Sequence, residues 1–353
     1  MAEASKLKAW ISAARLRTLP LSISGILVGS AFAFSKVINW RSTLLYLKNL
    51  SIEETGVVDY LQSIGFEFNY LIPILALITT LGFQILSNFA NDYGDGVKGT
   101  DNDDRIGPMR AIQSGIISPQ EMKRGMIITA TLTLISAILL IYVSLGIERL
   151  LVSLFFLVLG IAAIWAAIKY TVGDNAYGYR GLGDVFVFIF FGPVSVMGIY
   201  YLITKTLDWE MIFPSITIGL LSVAVLNLNN MRDVESDKKA GKNTIVVKMG
   251  LVKAKLLHYG FIIIAFVCAI ISVLALFVSA MEVSVYNDEE IFYANNYFTF
   301  LPLLAFIPLF IHLFKVKRTQ SPALLDPELK KVALSTFLFA VLCCLSVWIV
   351  SSF

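Results

Sequence analysis

Nine long apolar runs constrain what this chain folds into. They lie near residues 18–35, 70–90, 125–146, 149–168, 184–203, 211–230, 257–280, 297–314 and 332–352. Their hydrophobic residues are continuous rather than striped at 3.6-residue spacing, which is the pattern of helices bathed in lipid. Only 15% of the chain is charged, against about 25% in soluble domains. The expected fold class is an all-α integral membrane protein with nine transmembrane helices, forming a single domain over residues 1–353.

The net charge of +3 matters less than its distribution. Five of the 28 Lys and Arg residues (Lys36, Arg41, Lys48, Arg149 and Lys205) fall on one side of the predicted membrane. All others lie on the side of the N-terminal arm, residues 1–17, together with segments 91–124, 169–183, 231–256 and 315–331. The positive-inside rule makes that side cytoplasmic. Nine spans then place the C-terminus outside. The basic arm followed by Ala31-Phe32-Ala33 also has the look of a signal peptide, but the run is long enough to span and the later spans keep register with it. Segment 36–69, with Trp40 and Leu44 to Leu47, reads as an outside stretch lying partly in the interface. Asp288, Glu289 and Glu290 read as a solvated loop. Cys268, Cys343 and Cys344 sit in apolar runs without metal-ligand spacing and read as buried small hydrophobes. His258 and His312 lie near span ends, far apart in sequence, and read as structural or interfacial.

Two acidic clusters begin where apolar runs end. The first is Asn88-Phe89-Ala90-Asn91-Asp92-Tyr93-Gly94-Asp95, continuing through Lys98, Asp101, Arg105 and Arg110. The second runs from Asn227, Asn229 and Asn230 through Arg232 and Asp233 to Asp237, Gly241, Lys242 and Thr244. Carboxylates at such a depth are costly and mark function by default. Asn91 and Asp95 are four apart and share a helix face, and Asn88 and Asp92 share a neighbouring one. Asp233 and Asp237 repeat the spacing on the second helix. Such oxygens suit Mg2+, which takes one or two carboxylates and completes its shell with phosphate oxygens and water. Lys98, Arg105, Arg110, Arg232 and Lys242 supply charge for the remaining phosphate oxygens. The pattern points to a magnesium–diphosphate site at a membrane surface. Arg15 and Arg17 serve either as positive-inside anchors or as phosphate contacts. Tyr93, Tyr170, Tyr177, Tyr179 and Tyr200 fit an interfacial belt, with one or two placed to stabilise a carbocation. The echo of Asn88, Asn91 and Asp95 in Asn227, Asn230 and Asp233 fits either a duplication or a shared ligand.

These motifs resemble the UbiA superfamily of intramembrane prenyltransferases. NxxxD matches Asn91 and Asp95, and DxxxD matches Asp233 and Asp237. The 1,4-dihydroxy-2-naphthoate polyprenyltransferase branch is closer still. The stretch from Asn88 through Gly115 resembles that branch. So do Ala14 to Pro20, Tyr179 to Asp184, Phe190 to Pro193, and Asn230 through Thr244. The resemblance runs from about residue 10 to 250 and weakens over the last three spans. Many superfamily members carry a further Asp where Gly99 and Gly241 stand here, which leaves Asp92 and Asp101 open as metal contacts.

The resemblance implies a nine-helix bundle around a lipid-open cavity in a bacterial inner membrane. Polyprenyl diphosphate, 1,4-dihydroxy-2-naphthoate and membrane lipids are the implied partners, with no nucleic acid. It implies Mg2+ on Asn91, Asp95, Asp233 and Asp237. It places Asp92, Lys98, Arg105, Arg110, Arg232 and Lys242 in catalysis, and Arg15, Asn88, Asp101, Tyr170 and Asn230 at the substrates. The implied reaction is prenyl transfer with decarboxylation to demethylmenaquinol. Other acceptors or donors (4-hydroxybenzoate, a phytyl diphosphate) would use the same metal residues, and an ion-coupled transporter is the non-enzyme alternative.

Overall fold

The computed structural model describes residues 2–49, 67–99, 110–287 and 296–352. Every regular element among them is helical. The elements are α1 (Ala2–Ala14), α2 (Leu19–Asn49), α3 (Leu71–Lys98), α4 (Pro119–Leu145), α5 (Leu150–Lys169), α6 (Gly183–Thr204), α7 (Ile212–Arg232), α8 (Val234–Lys239), α9 (Ile245–Asn287), α10 (Phe306–Arg318) and α11 (Asp326–Ser352). Among the described residues, nine helical segments are long and apolar enough to cross a membrane. Each coincides with one of the predicted apolar runs. Helices satisfy their backbone hydrogen bonds internally, which lipid requires.

The helices overrun the hydropathy boundaries. α3 continues two turns past residue 90, so Asn91 to Lys98 belong to a helix and not to the expected 91–124 loop. α9 begins at Ile245, which likewise shortens the expected 231–256 loop. α2 continues to Asn49, correcting the expected exit at residue 36; residues 50–66 lie outside the described chain. The cause is that hydropathy records contact with lipid. A helix carrying its polar residues toward the bundle interior needs no apolar surface there. The acidic run 288–290 also lies outside the described residues.

The N-terminal arm is a helix packed on the bundle. Ala9 and Ala13 are buried, Trp10 meets Phe89 edge-on at 5.2 Å, and Lys6 pairs with Glu121 at 2.5 Å. Glu121 also closes a capping box: Ser118 Oγ accepts from the Glu121 N–H, and the Glu121 carboxylate accepts from the Ser118 N–H. Pro119 at the first helical position completes the start of α4, because its missing N–H costs nothing there. α9 bends at Gly250, where φ of +79° suits only glycine without strain.

α2, α7 and α11 form the interior, with α7 packed against α6, α9 and α11. The most apolar window of α7 is 67% buried, whereas that of α5 is 6% buried. α5 is therefore an outer wall of the bundle, its inner side open to a cavity through Phe156, Gly160 and Ala163. α6 is interrupted by a π-turn at Phe190–Val194 that contains Pro193. Proline removes one ladder hydrogen bond, and the wider turn absorbs its ring.

His258 and His312 are fully buried, not interfacial, and the fold closes their wide sequence separation to 2.8 Å between Nε2 atoms. His312 Nδ1 meets Glu328 at 2.6 Å, and Lys331 reaches the other Glu328 oxygen at 2.6 Å. This chain of polar groups ties α9, α10 and α11 together inside an apolar setting. His312→Ala leaves His258 and the buried Glu328 each short of a partner. It is expected to cost about 3 kcal/mol, read as a lowered thermal unfolding temperature in detergent.

Candidate active site

Asn91 and Asp95 face one cavity from the last turns of α3, as their four-residue spacing predicts. Asp233 and Asp237 face it from the opposite side. They do not share a continuous helix: α7 ends at Arg232, Asp233 sits at φ −97°, and Asp237 lies on the short α8. The Asp237 N–H still donates to the Asp233 carbonyl at 2.8 Å, so the helical spacing survives the break. The echo between the motifs is partial in space. Asn91 and Asn230, and Asp95 and Asp233, line the same cavity; Asn88 and Asn227 do not.

Cations surround these oxygens. Asp95 is 2% exposed and receives Arg110 at 3.1 Å, Lys242 at 3.3 Å and the Tyr179 hydroxyl at 2.7 Å. Lys242 also lies 3.8 Å from Asp237, bridging the two motifs. Tyr179 has Lys98 over its ring at 4.1 Å and Lys242 at 4.9 Å, a doubled cation–π contact. The Asn243 N–H donates to the Tyr179 carbonyl at 2.9 Å, fixing the second motif's loop to the 177–180 turn. Burial, reinforced by the neighbouring Asp233 and Asp95, pushes the Asp237 carboxyl up to about 6 even though Lys242 pulls the other way.

Asp92 does not line the cavity. Its Oδ1 accepts from Arg15 at 2.6 Å and from Arg110 at 3.1 Å, and it is 2% exposed. Arg110 thus bridges Asp92 and Asp95, and Arg15 enters the cavity from the break between α1 and α2. Arg15 has φ of +51°, a conformation that costs a non-glycine residue about 1–3 kcal/mol and persists where neighbours enforce it. Asn88 secures the same break by donating to the Ala14 carbonyl at 2.9 Å. Lys98 does not line the cavity and donates to the Thr171 and Gly173 carbonyls. Thr171 in turn donates to Ala90 O and Asn91 Oδ1, and a Cβ on Gly94 would stand 2.7 Å from its carbonyl. Only glycine lets α3 approach so near, which is how Asn91 is aimed.

Tyr170, Asn230, Arg232 and Lys242 line the cavity. Asp101 and Arg105 lie outside the described residues. The structure brings in Asn229 of the second cluster and adds Asp326 and Lys330. Their sequence signal is weak, because Asp326 precedes a proline in what reads as an ordinary turn.

The polar cavity measures ≈ 410 Å³ and adjoins an apolar chamber of ≈ 330 Å³. Gln84, Asn91, Tyr170, Val187, Phe191 and Leu226 border both and form the throat. The chamber runs among α2, α3, α4, α5 and α6, lined by Ile26, Leu140, Phe156, Gly160, Phe190 and Ile199 among others. A charged cradle at one end of a greasy tube fits an amphiphile whose head is anionic and whose tail is hydrocarbon. Fold and site together define an intramembrane helical bundle for such substrates.

Comparison with known proteins agrees. The UbiA prenyltransferase family model matches residues 56–286, and the chain belongs to that family. The chain is 40% identical over 349 residues to the 1,4-dihydroxy-2-naphthoate octaprenyltransferase of Escherichia coli strain K12, covering 98% of this chain and 97% of the relative. The Haemophilus influenzae protein of the same name is 40% identical over 338 residues, covering 96% and 94%. A solved UbiA homologue from Archaeoglobus fulgidus, bound to DMAPP and Mg2+, shares the fold with a TM-score of 0.52 at 17% identity, covering 94% of this chain and 98% of that one.

Proposed function

We infer that this chain transfers a polyprenyl group from polyprenyl diphosphate to 1,4-dihydroxy-2-naphthoate, with decarboxylation, giving demethylmenaquinol. The observation that carries the reading is the single throat joining the charged cradle to the apolar chamber. Near-full-length relatives bearing the 1,4-dihydroxy-2-naphthoate name support the acceptor. We take the whole of 1–353 as one catalytic domain in the inner membrane, its N-terminus and cradle cytoplasmic and its C-terminus outside.

The donor set fits Mg2+. Asn91, Asp95, Asp233 and Asp237 offer hard oxygens to one cavity, and the Lys242 ammonium between Asp95 and Asp237 shows that these carboxylates already share a cation. Among the described residues no three acidic, His or Cys side chains converge as a complete cage. Diphosphate and water oxygens would complete the shell, as is usual for this ion. When bound, Mg2+ supplies positive charge to the diphosphate.

Arg15, Arg110, Arg232 and Lys242 hold the remaining phosphate charge and stabilise it as the allylic C–O bond ionises. Asp92 aims Arg15 and Arg110, and Lys98 aims Tyr179 and the 171–173 turn. Tyr170 borders both cavities at the throat, where an aromatic ring would stabilise an allylic cation. Burial raises its phenol pKa, so it stays neutral. The carboxyl-bearing ring carbon attacks the allylic cation, and the carboxylate then leaves as carbon dioxide, its bonding pair restoring the aromatic ring. The apolar chamber keeps water from the cation. An ion-coupled transporter would place its carboxylates near the midplane; here they sit at one end of the chamber.

Purified protein in detergent, given Mg2+, a polyprenyl diphosphate and 1,4-dihydroxy-2-naphthoate, is expected to form prenylated, decarboxylated naphthoquinol by mass. A chelator is expected to abolish it. Turnover of 4-hydroxybenzoate alone would move the acceptor assignment, and inactivity with every acceptor would overturn the reading. The pH dependence follows from Asp237. Its carboxyl holds a proton up to about pH 6, so a metal must displace that proton at lower pH. The Mg2+ concentration for half-maximal rate is expected to rise as pH falls through 6 and to level off above 7. A flat Mg2+ requirement from pH 5 to 8 would remove Asp237 from the metal set.

A further inference from the structure

We propose that Asp326, at the start of α11, is a positioning residue that holds the Arg232 guanidinium so that Asp233 keeps negative charge available to a divalent cation. The proposal deepens the reading of the metal–diphosphate site above and rests on it. Asp326 lies beyond residues 56–286, the part of the chain that the family model matches.

Arg232 is 3% exposed and surrounded by acceptors. Its Nε and Nη2 grip both oxygens of Asp233 at 2.7 and 2.6 Å. Nη2 also donates to Asn229 Oδ1 at 2.9 Å, and Nη1 donates to Asp326 Oδ1 at 2.6 Å. Arg232 and Asp233 are sequence neighbours, so their pairing is local. Asp326 comes from a different span, 94 residues later. It lines the same cavity as Asp95, Asp233 and Asp237, and its side chain is 43% exposed.

Charge counting gives the consequence. With Asp233 as its only counter-ion, the guanidinium would form a closed, neutral pair, and a divalent cation would have to break it. Two carboxylates around one guanidinium leave one net negative charge. Asp326 also pulls on Nη1, away from the two donors that hold Asp233. The fork geometry that makes Arg–carboxylate pairs strong and directional makes this second anchor effective. α11 thereby joins the metal-binding end of the site without touching the reacting atoms.

The test is Mn2+ affinity, read from the free-ion EPR signal, for the full chain in detergent with geranyl thiodiphosphate as an unreactive diphosphate probe. Asp326→Asn is expected to weaken Mn2+ binding about tenfold, the size of one charge-assisted contact. Asp326→Glu is expected to stay within about threefold of the native protein, on the same ground. In an Arg232→Gln background, Asp326→Asn is expected to change affinity by less than about twofold, because the coupling runs through Arg232. Asp326→Ser replaces Asn in these measurements where Asn is not tolerated. Unchanged Mn2+ affinity with only a lowered unfolding temperature would make Asp326 a structural anchor and overturn the proposal. An equal loss with and without Arg232 would also overturn it. Failure of the native protein to bind Mn2+ with the probe is a distinct result, which removes the metal–diphosphate reading itself and the proposal with it.

Discussion

Asp95→Asn is expected to reduce prenyl transfer about a thousandfold while the protein still folds. Asp95 is the node of the site: one buried carboxylate engages Arg110, Lys242 and Tyr179. The amide keeps the shape and the Tyr179 hydrogen bond but removes the charge. Two cations then lose a shared counter-ion, and a hard oxygen is lost to the metal. Removing one preorganised electrostatic partner from a water-excluded site costs the transition state about 2.7–4 kcal/mol. A loss of about 4 kcal/mol from the transition state is a factor of about a thousand. The residual rate is expected to need more Mg2+, so the assay is run across a Mg2+ series. A monodisperse gel-filtration profile and a near-native unfolding temperature separate lost chemistry from lost fold. Retention of more than a tenth of the native rate at limiting Mg2+ would remove Asp95 from the machinery. Tyr179→Phe serves as a graded comparison, with a loss of about tenfold, the size of the hydroxyl's hydrogen bond to the charged Asp95.

The second large effect concerns the tail. Gly160 on α5 lines the apolar chamber, and a Cβ placed there would meet nothing nearer than the Ala137 Cβ at 3.9 Å. The position therefore opens onto the chamber. Along α5 it lies ten residues before Tyr170, or about 15 Å from the throat at 1.5 Å per residue. Gly160→Trp should fill the chamber at that depth and leave the cradle untouched. Rates with a long polyprenyl diphosphate are expected to fall about a hundredfold, equivalent to about 2.7 kcal/mol. Rates with dimethylallyl or geranyl diphosphate should stay within about threefold, because a short tail ends before the obstruction. Gly160→Ala should leave both unchanged. An equal loss for short and long donors would mean that the indole disturbs the helix packing, and unchanged use of the long donor would place the tail elsewhere.

Both variants act on parts of the molecule that differ in how openly the chain displays them. The nine spans are plain in the sequence, because burial in lipid is a property of each segment alone. The first motif is legible for a similar reason: Asn91 and Asp95 lie on one helix, and four-residue spacing fixes their shared face. The span ends were less visible. Hydropathy falls when a helix turns polar side chains inward, as α3 does from Asn91 to Lys98, although the helix continues. Nor does sequence spacing show that α7 breaks at Asp233, since the DxxxD pattern reads the same on either side of a kink.

The pairing of distant groups was settled by tertiary structure alone. Asp92 and Asp95 differ by three residues, yet one faces a pair of arginines and the other faces the cavity. The difference arises from where Arg15 and Arg110 arrive. His258 and His312, separated by a whole span and a loop, meet because α9 and α10 pack side by side. Asp326, at the start of α11, reaches Arg232 because α11 packs against α7. Apolar length and helical period are local quantities, so the chain itself determined that it carries nine apolar segments of membrane-spanning length and two oxygen-rich motifs. Which charge meets which, and the continuity of cradle and chamber, depend on helices crossing in three dimensions, where a few ångströms decide whether a pair forms.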